Sequence, residues 1–146
     1  MVTGVVLTPA SLGRMDDSTP VPVGALAERM GIRLVSADPQ RLVATMPVAG
    51  NTQPHGLLHG GASVVLAETL GSLGAVLLAG PGRTAVGVDV NATHHRAVRT
   101  GEVTATAVPV HEGRTAVTYE VVVTDDAGRR ACTARITCLL RAARPR

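Results

Sequence analysis

The chain has 146 residues, enough for one domain with a buried core, and 45% hydrophobic against 17% charged residues marks a globular rather than a disordered protein. It holds no Phe, no Trp and a single tyrosine, Tyr119, which excludes an aromatic stacking platform for single-stranded nucleic acid and leaves Val, Leu, Ala and Ile to build the core. The net charge is +3 and all 14 basic residues are Arg, dispersed without a run; the lack of Lys excludes Schiff-base chemistry and a P-loop lysine, and the dispersion argues against a nucleic-acid partner.

Residues 1–20 read as a loose arm, given Gly4, Pro9, Gly13, Asp16, Asp17 and Pro20, with no basic segment ahead of an apolar run as a secretory leader requires. Val23–Met30 reads as a short helix stopped by Gly31. Ile32–Ser36 and Leu42–Pro47 are strand candidates that can pair about Asp38-Pro39. A Gly-rich polar stretch, NTQPHGLLHGG, leads into a long apolar helix over 61–80. After Arg83 the period changes to two: Val86, Val88, Val90; then Val103, Ala105, Ala107; then Val117, Tyr119, Val121, Val123; then Cys132, Ala134, Ile136, Cys138, Leu140. Turn signals at Thr100-Gly101, His111-Glu112-Gly113 and Asp125–Gly128 make these four runs an antiparallel meander. The order predicts an α+β domain over 21–142, a six-stranded antiparallel sheet wrapped around one central helix, with a tail over 143–146.

Cys132 and Cys138 share one strand face about 20 Å apart, too far to bridge, and read as small core residues. Without a disulfide framework the expected compartment is reducing, hence cytoplasmic.

The long helix carries one anomaly. With the histidines neutral, Glu68 is the only charged side chain between Arg41 and Arg83. A membrane span would bury that carboxylate at a cost of about 2.5–3.5 kcal/mol, and no Trp, Tyr or Lys anchors flank the segment. A helix at the centre of a soluble domain fits better. At 100° per residue Leu66, Leu70, Leu73 and Leu77 form the core stripe, while Val64, Gly71, Ser72 and Ala75 lie on the side of Glu68. The carboxylate is therefore expected to face away from the core, toward a surface with room beside it.

Gly60 and Gly61 open that helix. Free N–H groups and the helix dipole at this point can hold a developing oxyanion, or the glycines simply let the chain pass close to the sheet. Gly60 and Glu68 are eight residues apart, about 12 Å along a helix, so they can act on one carbonyl only if they come from two chains. Elsewhere the chemistry is sparse. His94 and His95 point to opposite faces of a strand, and Pro54 and Gly56 break any helical pairing of His55 with His59, so no metal site is expected. No G-x-S-x-G elbow occurs.

Three segments carry a family likeness. NTQPHGLLHGGASVVLAETLGSLGA, VGVDVNATHHRAV and HEGRTAVTYEVVVTDDAGRRACTARIT together resemble the hotdog-fold acyl-coenzyme A thioesterases, in the subgroup of the phenylacetic-acid-pathway, Glu-dependent 4-hydroxybenzoyl-CoA and menaquinone-pathway enzymes, over about residues 24–141. The resemblance implies hydrolysis of an acyl- or aroyl-CoA thioester with no cofactor, in a homodimer or homotetramer, with sites at a subunit interface. It makes Glu68 the nucleophile or general base and Gly60 the N–H donor to the thioester carbonyl from the opposite subunit. His59 would hold that loop, Gln53 would orient water or the acyl group, and Ser72 would bond near Glu68. Asn51, His55, His94, Arg96, Arg114 and Thr115 would meet the acyl or coenzyme A portions. Position 55, often aromatic in relatives, is His55 here, which changes the wall of the acyl pocket. The alternatives are a non-catalytic acyl-CoA or aryl-ligand binding module on the same fold, and a thioesterase for carrier-bound acyl chains.

Overall fold

The computed structural model describes residues 23–143, so the arm expected over 1–20 and all of the expected tail but Ala143 lie outside the described residues. The first helix, α1, is Ala25–Arg29, shorter at both ends than the sequence pattern. It stops where Gly31 takes φ +70 and the Ile32 N–H reaches back 2.9 Å to the Ala27 carbonyl, a left-handed glycine stop. β1 (Arg33–Asp38) and β2 (Arg41–Pro47) follow, then the long helix α2 (Gly60–Ala79), then β3 (Arg83–His94), β4 (Glu102–Glu112), β5 (Ala116–Thr124) and β6 (Arg130–Ala142).

All pairings are antiparallel, in the order β1-β2-β4-β5-β6-β3. The expected four-strand meander is corrected here. Only β4, β5 and β6 run as a meander; β3 pairs with β6 at the far edge. Thr100-Gly101 is not a hairpin turn, because residues 95–101 carry the chain across the end of α2. Buried Val98 pins this crossing, and its carbonyl accepts the Leu58 N–H at 2.8 Å.

The sheet curls around α2. Ten of the helix's twenty residues are buried, among them Leu66, Leu70 and Leu73 of the expected stripe, while Leu77 is half-buried. The lone aromatic is the keystone. Tyr119 is fully buried on β5, and its hydroxyl donates to the Pro39 carbonyl at 2.6 Å. A Cβ at Gly74 would stand 2.4 Å from the Tyr119 ring, and one at Gly71 would stand 2.0 Å from Ile136. These two glycines set how closely helix and sheet approach. Gly71 and Ala75 are thus packed on the sheet, contrary to the expectation that they border an open surface with Glu68. Glu68 sits at the seam between that packed side and the groove beyond it.

β3 also departs from simple alternation. A bulge between Gly87 and Asp89 shifts the register, leaving Val86 47% and Val88 54% exposed, while Ala85, Val90 and Ala92 pack on the core. One edge of β3 is paired with β6; the other has no strand beside it among the described residues.

Candidate active site

The N-terminus of α2 is built by the loop before it. Asn51 spends both amide hydrogens on backbone carbonyls, Met30 at 2.8 Å and Pro47 at 2.9 Å, and its own carbonyl accepts the His59 N–H at 2.8 Å. Asn51 thereby ties the end of α1, the end of β2 and the start of α2 together. Gln53 closes a tight loop: its N–H bonds to the Leu57 carbonyl at 2.8 Å and its carbonyl accepts the Gly56 N–H at 2.9 Å. Its side-chain Oε1 accepts the His55 N–H at 3.4 Å, and His55 is exposed at the loop tip.

His59 is the N-cap of α2, and its Nδ1 accepts the Gly61 N–H at 2.8 Å. That bond requires a bare Nδ1 and places the ring proton of the neutral imidazole on Nε2. Gly60 is the first helical residue, so its N–H has no partner within the helix. The His94 ring lies against it: a Cβ at position 60 would stand 2.8 Å from His94 Nε2. The close approach expected of this glycine is present, and its N–H is not used within the helix. A cavity of about 360 Å³ opens here, lined among others by Leu57, Leu58, Gly60, His94 and Arg96.

Glu68 lies two turns further on, exposed, with half-buried Ser72 one turn beyond it. Both side chains face Gly87 of β3, where an added Cβ would meet Glu68 Oε1 at 3.8 Å and Ser72 Oγ at 3.9 Å. In register with Gly87 stands Cys138 of β6. Burial pushes the Cys138 thiol up, a hydrogen bond from Ser72 opposes this, and the charge of Glu68 raises it again. The thiol stays protonated and forms the floor under the carboxylate–hydroxyl pair. A largely apolar cavity of about 410 Å³ adjoins them, walled by Val65, Leu73 and Val76 of α2 and by Val23 and Leu26 from α1 and its approach.

The expected site residues thus form three groups within one chain. Glu68 and Ser72 converge on one cavity, and Gly60, His94 and Arg96 line another. Arg114 and Thr115 stand apart, in the β4–β5 turn, where the Arg114 carbonyl accepts from the Arg83 guanidinium at 2.7 Å and the Thr115 carbonyl from the Leu140 N–H at 2.8 Å. That is the opposite end of β3 from His94, about 36 Å away along the strand. No cluster of three or more His, Cys, Asp or Glu suited to a metal ion occurs among the described residues.

Sequence reasoning missed Gly87, Cys138 and the α1 wall. Gly87 was open to detection, because a glycine inside a strand pattern marks a bulge or a close approach. The position of Cys138 beneath Glu68 depends on the β3–β6 pairing, which the meander reading had wrong.

Residues 55–132 match the pattern of the Thioesterase superfamily. The chain is 47% identical over 116 residues to the proofreading thioesterase EntH of Cronobacter turicensis, which covers 79% of this chain and 85% of that protein. Its fold superposes with a TM-score of 0.77 on the crystal structure of a thioesterase from Haemophilus influenzae, 38% identical, over 81% of this chain and 83% of the other. A more distant neighbour of the same fold is a hypothetical thioesterase from Streptococcus pneumoniae crystallised with coenzyme A, with a TM-score of 0.72 at 23% identity over 83% and 94% of the two chains.

Proposed function

Since this chain belongs to the thioesterase superfamily, and so is a thioester hydrolase of the hotdog fold, we propose that it cleaves acyl- or aroyl-coenzyme A to the free acid and coenzyme A, with Glu68 as the reacting carboxylate. The observation that carries the reading is the meeting of Glu68 and Ser72 over Gly87 beside an apolar cavity. That arrangement sets an ionisable group next to room for an acyl chain. The coenzyme A found with the Streptococcus pneumoniae neighbour supports the thiol half of the substrate. Coenzyme A enters as substrate, and hydrolysis needs only water.

In the general-base route Glu68 takes a proton from water as the oxygen attacks the thioester carbon. The carbonyl electrons move to oxygen, return to expel sulfur, and the thiolate recovers the proton. In the nucleophilic route Glu68 itself adds and the tetrahedral adduct expels the thiolate, leaving an anhydride that water cleaves to the acid and free Glu68, the thiolate taking up the proton released. Either way negative charge builds on the carbonyl oxygen and needs a donor. Gly60 of the same chain is about 12 Å away along α2. The donor is therefore Gly60 of a second copy, with its N–H at a helix N-terminus held by the His59 cap and the Asn51 clamp.

The edge of β3 supplies the means. It is long, bears exposed Val86 and Val88, and runs from Gly87 beside Glu68 to His94 beside Gly60. Antiparallel pairing with the same strand of a second copy, the bulge at Val88 taking up one residue so that Gly87 stands opposite His94, centres the two-fold on Asn91. Glu68 of each copy then faces Gly60 of the other. The same operation carries the Arg114 and Thr115 end of one copy toward His94 and Arg96 of its partner, which gathers the polar residues expected to meet coenzyme A.

Thiol release from a panel of alkyl- and aryl-CoA esters, for the wild type beside Glu68→Ala, tests the proposal. Turnover that falls by roughly 10²–10⁴ in the variant is the expected result. Saturable binding of the esters without turnover would favour a binding module, and release only from acyl-carrier thioesters would move the substrate to a carrier protein.

A further inference from the structure

The glycines of this chain divide by what forces them. Gly31, Gly50 and Gly101 take positive φ, where a side chain is strained. Gly60, Gly71 and Gly74 are pressed by a neighbour, each with less than 3 Å to spare for a Cβ. Gly87 belongs to neither group. Its φ lies outside the left-handed region, and a methyl there would make only ordinary contacts: 3.8 Å to Glu68 Oε1, 3.9 Å to Ser72 Oγ and 3.9 Å to Ile136 Cδ1. Backbone and packing would both accept alanine, and glycine in a strand costs stability.

What Gly87 supplies is empty space against the carboxylate. The bulge beside it preserves that space. Ala85 and Gly87 face the helix before the bulge, Val90 and Ala92 after it, so the strand turns its one missing side chain toward Glu68. A thioester carbon attacked from Oε1 lies about 3–3.5 Å from that oxygen. A substituent beside this carbon on the β3 side then occupies the space where a side chain at 87 would stand.

We infer that Gly87 is a specificity-determining residue: it leaves room beside Glu68 for substituents on the acyl carbon next to the carbonyl, so that esters branched or aromatic at that carbon are accepted along with straight chains. The inference rests on Glu68 being the reacting group. Straight-chain esters, with two hydrogens at that carbon, need little of the space; benzoyl and isobutyryl esters need all of it.

The experiment measures kcat and KM on butyryl-, isobutyryl- and benzoyl-CoA for wild type, Gly87→Ala and Gly87→Ser, with Tm and molecular mass as controls. Wild type is expected to hydrolyse all three. Both variants should keep the wild-type mass and lose benzoyl and isobutyryl activity selectively, shifting the kcat/KM ratio against butyryl by about tenfold or more, the usual effect of one surplus methyl in a fitted pocket. An unchanged ratio, an equal loss on every ester, or a wild type confined to straight chains overturns the inference while leaving Glu68 its role. No thiol release by wild type from any ester removes both.

Discussion

The sheet has two edges, and they are built differently. β1 is six residues long, carries Arg33 and Asp38 at its ends, and ties Arg33 to Glu102 of β4. It is short and charged, as edges that must not pair usually are. β3 is twelve residues long, twice the length of β1, and its Val86 and Val88 stand exposed together between Arg83 and Asp89. The same fold thus blunts one edge and leaves the other open. The open edge runs past both Glu68 and Gly60, whereas the blunted one is near neither. The proposed site therefore lies along β3.

The largest expected effect removes the group that β3 faces. Glu68→Ala should lower kcat by roughly 10²–10⁴, read by thiol release, with Tm unchanged because the carboxylate is exposed. Next comes the contrast between edges. Val88→Arg on β3 should give a monomer in light scattering and lose roughly 10²–10³ in kcat, the value of one oxyanion donor. Val35→Arg on β1, at a residue 64% exposed, should change neither mass nor rate. Equal effects at the two edges would end the distinction.

Two smaller tests address the scaffold that both edges share. Tyr119→Phe removes the hydrogen bond to Pro39 and should cost about 1–3 kcal/mol in denaturant unfolding, with kcat retained. Burial, foremost, and the nearby Glu112 hold the Tyr119 phenol far above its ordinary value of 10.0. Its contribution is therefore complete below pH 10 and is lost only as pH rises toward the folded-state value. The smallest effect lies in the β5–β6 turn. Asp125 accepts from Arg129 Nε at 2.9 Å and from the Ala127 and Arg129 N–H groups at 3.0 and 2.9 Å, and the Arg129 contacts hold its carboxyl below the usual 3.8. A depressed carboxylate stabilises above the unfolded value and ceases to as pH falls through the folded one. Tm measured from pH 6 to pH 2 should therefore fall less steeply in Asp125→Asn than in wild type.

Much of this was legible in the chain. The leucine stripe, the period-two valines and the lone carboxylate gave the helix, the strands and Glu68, because burial against a single face leaves a periodic trace. The strand order was not legible, since the 95–101 crossing turns on one buried valine, Val98, rather than on a turn motif. Gly71 and Ala75 were placed on the wrong side for a related reason: a helical wheel gives angles but not where the sheet lies. The separation of Gly60 from Glu68 along α2 was legible as well. Its basis, eight residues between Gly60 and Glu68, is a matter of helical rise alone.

The proposed division of the site between two copies can be measured by mixing two inactive proteins. Glu68→Ala removes the carboxylate, and Gly60→Val drives a side chain into His94 and displaces the donor. If each site takes Glu68 from one copy and Gly60 from the other, a mixed dimer has one doubly damaged site and one intact site. Random reassembly after denaturation should then restore roughly a quarter of wild-type thiol release, as two-fold symmetry dictates. Continued inactivity of the mixture, with both variants folded and mixed dimers present by mass, would place both groups in one chain and contradict the account.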